Sequence, residues 1–273
     1  MNVGARWGCW AAVCMLAMAT AAEARCSRPI HVPMAPIGLS VSFDDAKPQG
    51  IYPTLLREMT ASTQCQFDMH KVPRARLQTM FDAGQADVLV PASASPSRDT
   101  TGEFVPLIQV RASLITLDPE MPVPRSLAEL LAQPDYKLVV VRGFSFGAAY
   151  DSAIATLRQR QRLLEEADAA GVARALRQGL AQATVMTASI LVGTLVVEPD
   201  LNALLKRLRV EPLEELDWGV SGLYLSRHSL GEADRRTLRQ AFGQVARSGR
   251  VWQLFNELHP PGSLGGSIRP LLR

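Results

Sequence analysis

From residue 30 onward, short apolar runs alternate with amphipathic segments along the chain. The runs at 30–35, 66–72 and 137–141 have the length and apolar content of buried strands. Between the first two, Leu55 and Met59 recur at helical spacing, which is typical of a helix that packs one face against a sheet. The alternation of the two patterns predicts an α/β protein.

Glycine and proline mark the ends of several of these elements. Pro53 falls where the first turn of a helix accepts proline, and Gly84 follows a helix predicted from 74 to 83. Gly249 is expected to end the last long helix. Three residues are expected on the buried side of a short closing helix: Val251, Trp252 and Phe255. Further strands are predicted at 87–90, 110–117, 183–186 and 219–226, and further helices at 145–157 and 171–178.

Two segments of the chain resemble each other. Both 77–98 and 176–194 contain a helical stretch, a glycine, a short apolar strand and then residues rich in Ser and Thr. Within them, residues 84–88 (GQADV) align with 179–183 (GLAQA). This similarity is consistent with two α/β lobes joined by two crossings of the chain, with a ligand between the lobes.

The N-terminus has the features of a secretory signal peptide. Arg6 precedes a nearly continuous apolar stretch from 7 to 22, and Ala22-Glu23-Ala24 is a small-residue pattern that a signal peptidase accepts. The alternative is a transmembrane anchor, but the apolar stretch is shorter than the about 20 residues that span a bilayer. We expect cleavage near Ala24, a periplasmic location and a signal peptide covering 1–24.

The cysteine content agrees with export, and the net charge is small. The formal net charge is only +3 and the basic residues are scattered, which gives no indication of a nucleic-acid partner. Beyond residue 24 only Cys26 and Cys65 remain, and in an oxidising compartment two cysteines predict one disulfide. The alternative is two separately buried thiols. No histidine lies at a metal-like or nucleophile-like spacing from either cysteine, so we predict no metal site.

An ordered series of motifs resembles the extracellular solute-binding proteins of family 3, which serve amino-acid ABC importers. The series comprises 50–56 (GIYPTLL), 77–87, 97–98, 126–130 (SLAEL), 138–143 (LVVVRG), 176–185 and 224–227 (YLSR). The resemblance implies a two-lobed type II periplasmic-binding fold. Lobe 1 would comprise 25–117 and 214–273 and lobe 2 would comprise 118–213, with the hinge near 117–124 and 209–216. A monomer would close around a small-molecule ligand and present it to an inner-membrane ABC permease, without a cofactor.

The resemblance also implies a set of ligand-binding residues in lobe 1. Arg98 lies where relatives hold the ligand carboxylate with an arginine, and a guanidinium suits that chemistry because it can donate two parallel hydrogen bonds. Ser93 and Ser95 precede it, at the carboxyl end of a predicted strand where open α/β sheets place ligands. Arg74 lies where many relatives line the cleft with an aromatic or polar group.

In lobe 2, Phe144 and Ser145 match a glycine-plus-hydroxyl turn of the family. Ser145 would bind the ligand or cap a helix, and Phe144 would stack on the ligand or close the core. Relatives that bind α-amino acids carry an acidic residue near the position of Gln182, and an amide cannot pair with an ammonium group as a carboxylate does. Either another residue binds the ammonium group, or the ligand is not a conventional amino acid. A small carboxylate or a larger polar anion fits a cleft that is rich in arginine and poor in aspartate better.

Two further functions remain open on the same fold. A sensor input domain would bind its ligand with the same residues and report to a membrane signalling partner. A lyase or dehydratase would need a general acid or base in the cleft. The four histidines, at 31, 70, 228 and 259, form no recognisable catalytic motif, and we assign no catalytic residue.

Overall fold

The structure, a computed structural model, describes residues 25–271, so the predicted signal peptide lies outside the described residues. The strands are β1 (Ile30–Met34), β2 (Ser42–Asp44), β3 (Lys47–Gln49), β4 (Phe67–Lys71), β5 (Val88–Ser93), β6 (Gly102–Val110), β7 (Ala112–Thr116), β8 (Leu138–Val141), β9 (Leu163–Glu166), β10 (Ala183–Thr187), β11 (Arg209–Pro212), β12 (Gly219–Ser226) and β13 (Ile268–Arg269). The helices are α1 (Ile51–Thr63), α2 (Arg74–Asp82), α3 (Pro96–Asp99), α4 (Leu127–Ala132), α5 (Ala148–Gln159), α6 (Ala169–Arg177), α7 (Ala188–Val197), α8 (Glu232–Ser248) and α9 (Arg250–Leu258), with a 3-10 helix at Asn202–Arg207. Among residues 25–271, no helix is long and apolar enough to cross a membrane.

Lobe 1 is built on a four-stranded antiparallel sheet in the order β13-β6-β12-β5, beside a parallel pair, β1 and β4. The amide of Asp87, just before β5, donates to the carbonyl of His31 in β1 at 2.9 Å, which joins the two sheets. Helices α1, α8 and α9 cover them with fully buried side chains such as Leu55, Leu238 and Phe255. The Cys26–Cys65 disulfide is present in this lobe, as expected from the two remaining cysteines.

Lobe 2 is a three-layer α/β unit on the sheet β11-β7-β10-β8-β9. One core lies against α6 and α7, and a second core lies against α4 and α5. The predicted cap of α4 is present, since the Ser126 hydroxyl accepts the amide of Glu129. Buried Arg162 donates to the carbonyls of Leu130, Leu131 and Tyr136, and so satisfies acceptors at the C-terminal end of α4.

The chain crosses between the lobes at 110–112 and at 213–218. Strand β7 pairs with β10 and β11, so it belongs to lobe 2, and the boundary expected after residue 117 falls one strand too late. The reason is that β6, which was not predicted, is the last strand of lobe 1 before the chain crosses to lobe 2. Arg111 lies at this crossing, and its guanidinium donates to the carbonyls of Leu213 and Leu216 in the second crossing.

The start of α5 and the burial of α9 also differ from the prediction. Gly147 adopts a φ of 103° and caps α5, so the helix begins three residues after Ser145. In α9, Val251, Leu254 and Phe255 are buried, whereas Trp252 is 40% exposed. Trp252 therefore does not belong to the core, because Leu254 occupies the buried face at helical spacing from Val251.

Candidate functional site

A cavity of about 310 Å³ lies between the two lobes. It opens at the carboxyl ends of four strands that form two parallel pairs, β1 with β4 in lobe 1 and β8 with β9 in lobe 2. This is the edge where open α/β sheets bind ligands. The lobe 1 wall comprises Pro36, Ile37, Gly38, Val41, Ser42, Phe43, Lys71 and Arg74. The lobe 2 wall comprises Val141, Phe144, Ala167, Asp168, Ala169, Ala170, Ile190, Thr194, Val197 and Glu198.

The two lobes touch through main-chain atoms at one side of this cavity. Gly38, with a φ of 53°, lies against Gly193 of α7, and a Cβ on Gly38 would lie 2.8 Å from the Gly193 carbonyl carbon. A Cβ on Gly193 would lie only 2.5 Å from the amide nitrogen of Leu39. Larger residues at either position would push the lobes apart, so the glycines permit the closed arrangement.

Two cations of lobe 1 reach the cavity from the β4–α2 connection. Lys71 is the last residue of β4, and its Nζ lies 5.6 Å from the centre of the Phe43 ring. Arg74 is the first residue of α2, and its Cζ lies 5.5 Å from the centre of the Phe144 ring in lobe 2. The Arg74–Phe144 contact therefore joins the two walls by a cation–π interaction.

The surroundings of Arg74 disfavour its charge. Arg74 is exposed to solvent, but protein atoms near its guanidinium partly desolvate it, and this desolvation lowers the pKa of the guanidinium. The nearby positive charge of Arg98 lowers the pKa further. The first turn of α2 contains no acidic residue that would compensate.

Two carboxylates face these cations from the lobe 2 wall, Asp168 and Glu198. Both already have partners. Asp168 caps α6 by accepting the amide of Gly171 at 2.8 Å, and Glu198 lies 3.8 Å from the guanidinium of Arg174. The cavity is thus polarised, with cations on the lobe 1 wall and carboxylates on the lobe 2 wall.

Comparison with known proteins shows the fold. No protein-family model matches the sequence, and no curated protein matches it. The ligand-binding core of GluR0 in complex with L-glutamate superposes with a TM-score of 0.66 at 16% identity, over 86% of this chain and 99% of that one. A histidine kinase sensor domain with similarity to periplasmic binding proteins gives a TM-score of 0.63 at 17% identity, over 85% and 98%. The chain has the type II periplasmic-binding-protein fold.

Proteins of this fold differ in function. A third structure is an ancestral amino acid-binding protein that is a precursor of cyclohexadienyl dehydratase. It gives a TM-score of 0.63 at 12% identity, over 85% of this chain and 95% of that one. These identities are low, so the similarity establishes the type II fold, while the ligand must be argued from the cavity itself.

Of the ligand-binding residues predicted from the sequence, the structure places Arg74 and Phe144 on the cavity wall. Arg98 is near Arg74 but is engaged within lobe 1, where it donates to the side chain of Gln78 at 2.8 Å and to the carbonyl of Ser93 at 3.0 Å. Ser93 lies on β5 opposite Ser221. The hydroxyl of Ser95 bonds to that of Ser97 at 2.7 Å. None of these three residues contributes to the cavity wall in this arrangement.

The two polar residues predicted in lobe 2 have local partners. The Ser145 hydroxyl donates to Asp151 at 2.8 Å, and it caps no helix. The amide oxygen of Gln182 accepts the main-chain N–H of Lys137 at 2.8 Å. Asp87, which aligns with Gln182, accepts the N–H of His31 in the same way, also at 2.8 Å. The aligned pair therefore supports the start of a neighbouring strand in each lobe, and Gln182 is not a cavity residue.

The histidines lie elsewhere in the described chain. His31 and His70 flank Asp68 on the surface of lobe 1, at 3.1 and 4.0 Å. Buried His259 bridges the lobes, with its ring nitrogens 2.8 Å from the carbonyl of Phe255 and 3.2 Å from that of Ser189. Between residues 25 and 271, no cluster of three or more His, Cys, Asp or Glu residues is placed to hold a metal ion.

Proposed function

We propose that this protein is a periplasmic solute-binding protein that encloses one small carboxylate or amino-acid-type ligand and presents it to an inner-membrane ABC importer. The observation that carries the proposal is the cavity itself. It lies between two lobes, at the carboxyl ends of their parallel strands, and it combines apolar and aromatic walls with two cations. Its volume of about 310 Å³ is at the lower end of the range for small-molecule sites.

Closure follows from the arrangement of the walls. A ligand in the cavity touches residues of both lobes, so its contacts are complete only when the lobes are together, and binding shifts the population towards the closed state. The two crossings at 110–112 and 213–218 are the only covalent links between the lobes in the described chain, and bending there would open the cavity. Arg111 bonds the crossings to each other and keeps them acting as one hinge.

A secreted location supports this function. The Cys26–Cys65 disulfide is of the kind that persists in oxidising compartments. In the periplasm, such a receptor would deliver its ligand to a permease. The permease would recognise the loaded receptor by the outer surfaces of the closed lobes.

A fluorescence experiment tests binding and closure together. The chain from residue 25 onward has two tryptophans, Trp218 in the second crossing and Trp252 on the surface of α9. Trp218 stacks on Arg269, whose Cζ lies 4.0 Å from the ring centre. In a Trp252→Phe variant, Trp218 alone reports on the hinge.

Protein is purified after export, refolded to remove carried-over ligand, and titrated with amino acids and small carboxylates. A saturable change in Trp218 emission, with a thermal shift of the same ligand specificity, is expected. A ligand at 100 times its dissociation constant adds about 2.7 kcal/mol to the free energy of unfolding. If no solute changes emission or melting temperature in folded protein, solute capture is contradicted.

A second candidate function is ligand sensing, which is favoured by the similarity to a histidine kinase sensor domain over 98% of that domain. The cavity and the closure would be the same, and the closed lobes would contact a signalling protein. Uptake of the labelled ligand by cells separates the two functions. A deletion strain that loses uptake supports the importer, whereas unchanged uptake with a lost transcriptional response supports the sensor.

We also propose that the protein binds its ligand without converting it. The similarity to the ligand-binding core of GluR0 supports this proposal. Incubating the identified ligand with stoichiometric protein and following it by NMR tests this. Recovery of the unchanged ligand is expected, and a dehydrated or cleaved product would contradict the proposal.

A further inference from the structure

The cations of the cavity have no carboxylate partner. In the described part of the chain, Lys71 and Arg74 form no salt bridge, and each instead lies over an aromatic ring. Arg98, next to Arg74, bonds only to the neutral side chain of Gln78 and to a carbonyl. Across the cavity, Asp168 accepts an amide of its own lobe and Glu198 lies 3.8 Å from Arg174. The cations of the lobe 1 wall are therefore available to an anionic ligand.

The surroundings of Arg74 disfavour its positive charge in the absence of a ligand. Arg74 and Arg76 lie in the first turn of α2, where the helix dipole repels positive charge. Arg98 adds a second repulsion on Arg74. In contrast, the first turns of α4 and α8 contain carboxylates. An anion placed between Lys71 and Arg74 would relieve both repulsions, so the site is complete only with a negative ligand.

The rest of the wall specifies the body of that ligand. Apart from the two cations, the polar side chains of the lining are Ser42, Thr194, Asp168 and Glu198, and the other side chains are aromatic or aliphatic. Two rings line the cavity from opposite lobes, Phe43 and Phe144, and each lies against a cation. A flat apolar group placed between the lobes would gain contact with both rings.

We propose that Lys71 and Arg74 together bind the carboxylate of a small organic acid whose body is apolar and flat, such as an aromatic acid. This inference rests on the proposed solute-binding function and narrows it to a ligand of net negative charge. Arg74 supplies the paired donors that match a carboxylate, and Lys71 adds a compact charge from the end of β4. The lobe 1 wall, which would hold the carboxylate, has no acidic side chain to pair with an ammonium group on the ligand.

The test compares matched ligands by isothermal titration and thermal shift. Benzoate, phenylacetate and 3-phenylpropionate are the aromatic acids, succinate is the aliphatic diacid, benzylamine is the cation and L-phenylalanine is the zwitterion. At least one aromatic acid is expected to bind at least 10-fold more tightly than benzylamine, and 3-phenylpropionate is expected to bind at least as tightly as L-phenylalanine.

The variants are Lys71→Ala and Arg74→Ala, with Arg76→Ala as control. Arg76 has the same charge, lies in the same helical turn and does not line the cavity. Both cavity variants are expected to lose at least 10-fold in affinity for the acid, while Arg76→Ala keeps it.

The outcomes separate this inference from the function on which it rests. Tighter binding of L-phenylalanine or benzylamine than of any acid would overturn the anion site and leave solute binding intact. Binding of an acid with equal affinity to wild type, Lys71→Ala and Arg74→Ala would overturn the residue assignment. Absence of any binding across this panel, together with no response to the wider solute set above, would overturn both.

Discussion

Asp87 offers a quantitative test of how lobe 1 is held together. Its side chain is 1% exposed, and its carboxylate accepts hydrogen bonds from both terminal nitrogens of the Arg28 guanidinium, at 2.6 and 2.8 Å. It also accepts the amide of His31, which begins the pairing of β1. Replacing Asp87 with alanine removes all three bonds and leaves a buried N–H without an acceptor.

The expected loss follows from the burial of the two partners. Breaking a buried ion pair costs about 3–5 kcal/mol. Since Arg28 is 39% exposed and can be hydrated when its partner is removed, we expect the lower end, about 3 kcal/mol for Asp87→Ala. For a chain of this size, that loss corresponds to a decrease of about 6–12 °C in melting temperature.

The pH dependence has a definite sign. Burial alone would raise the pKa of Asp87, but the bonds from the Arg28 guanidinium and the His31 amide lower it by more, so the net pKa is below its ordinary value. The carboxylate therefore contributes its full stability above about pH 4, and this contribution is lost as pH falls through the lowered pKa. The wild type and Asp87→Ala should differ at pH 7 and converge in strong acid.

Urea unfolding followed by circular dichroism at pH 7, 4 and 3 measures this difference. Glu165→Ala is the control, because its pair with Arg158 is on the surface, and exposed pairs contribute only about 0–1 kcal/mol. The reasoning is refuted if Asp87→Ala costs no more than Glu165→Ala at pH 7, or if the cost does not shrink on acidification.

Three further predictions concern other parts of the fold. Gly193→Ala should push the lobes apart, because the added Cβ would lie 2.5 Å from the Leu39 nitrogen. The radius of gyration measured by small-angle scattering should then rise. Gly231→Ala is the control and should leave the radius unchanged, because its Cβ would meet no atom within 4 Å. Reducing the disulfide, which links residues 39 apart in sequence, should cost about 3–4 kcal/mol in urea unfolding, and a loss below about 1 kcal/mol would contradict the chain-entropy account. Burial lowers the pKa of His259, so the contribution of the neutral ring to stability is complete above about pH 6.5 and declines as pH falls. The wild type should therefore lose more stability than His259→Gln between pH 7.5 and 5.5. Equal losses in the two proteins would contradict this prediction.

The secondary structure could be predicted where the local pattern is strong. The cap of α4 and the glycine that ends α8 are local signals, and both are present in the structure. Strand β6 was missed because Glu103 and Pro106 interrupt its apolar pattern, and the strand is stabilised by pairing with β12 and β13. Helix α7 was missed because it is apolar on nearly all sides and so lacks helical periodicity, as expected for a buried helix.

The candidate site was less accessible to sequence reasoning. Arg74 and Phe144 were found through motif order, but Lys71, Asp168 and Glu198 were not. They come from three separate segments, and only the tertiary fold brings them together. A signal did exist for Lys71, which ends a strand whose parallel partner is β1, because the carboxyl ends of parallel strands share one edge. The hydrogen bond of Gln182 to Lys137 could not be predicted, because it depends on the packing of β8 beside β10.

The most direct test of the account is a crystal structure of the protein with the tightest-binding aromatic acid. The account predicts one ligand between the lobes, with its carboxylate oxygens within about 3 Å of the side-chain nitrogens of Lys71 and Arg74. Its ring should lie between Phe43 and Phe144. A ligand bound at the 93–98 loop, or on the outer surface of either lobe, would contradict the central claim.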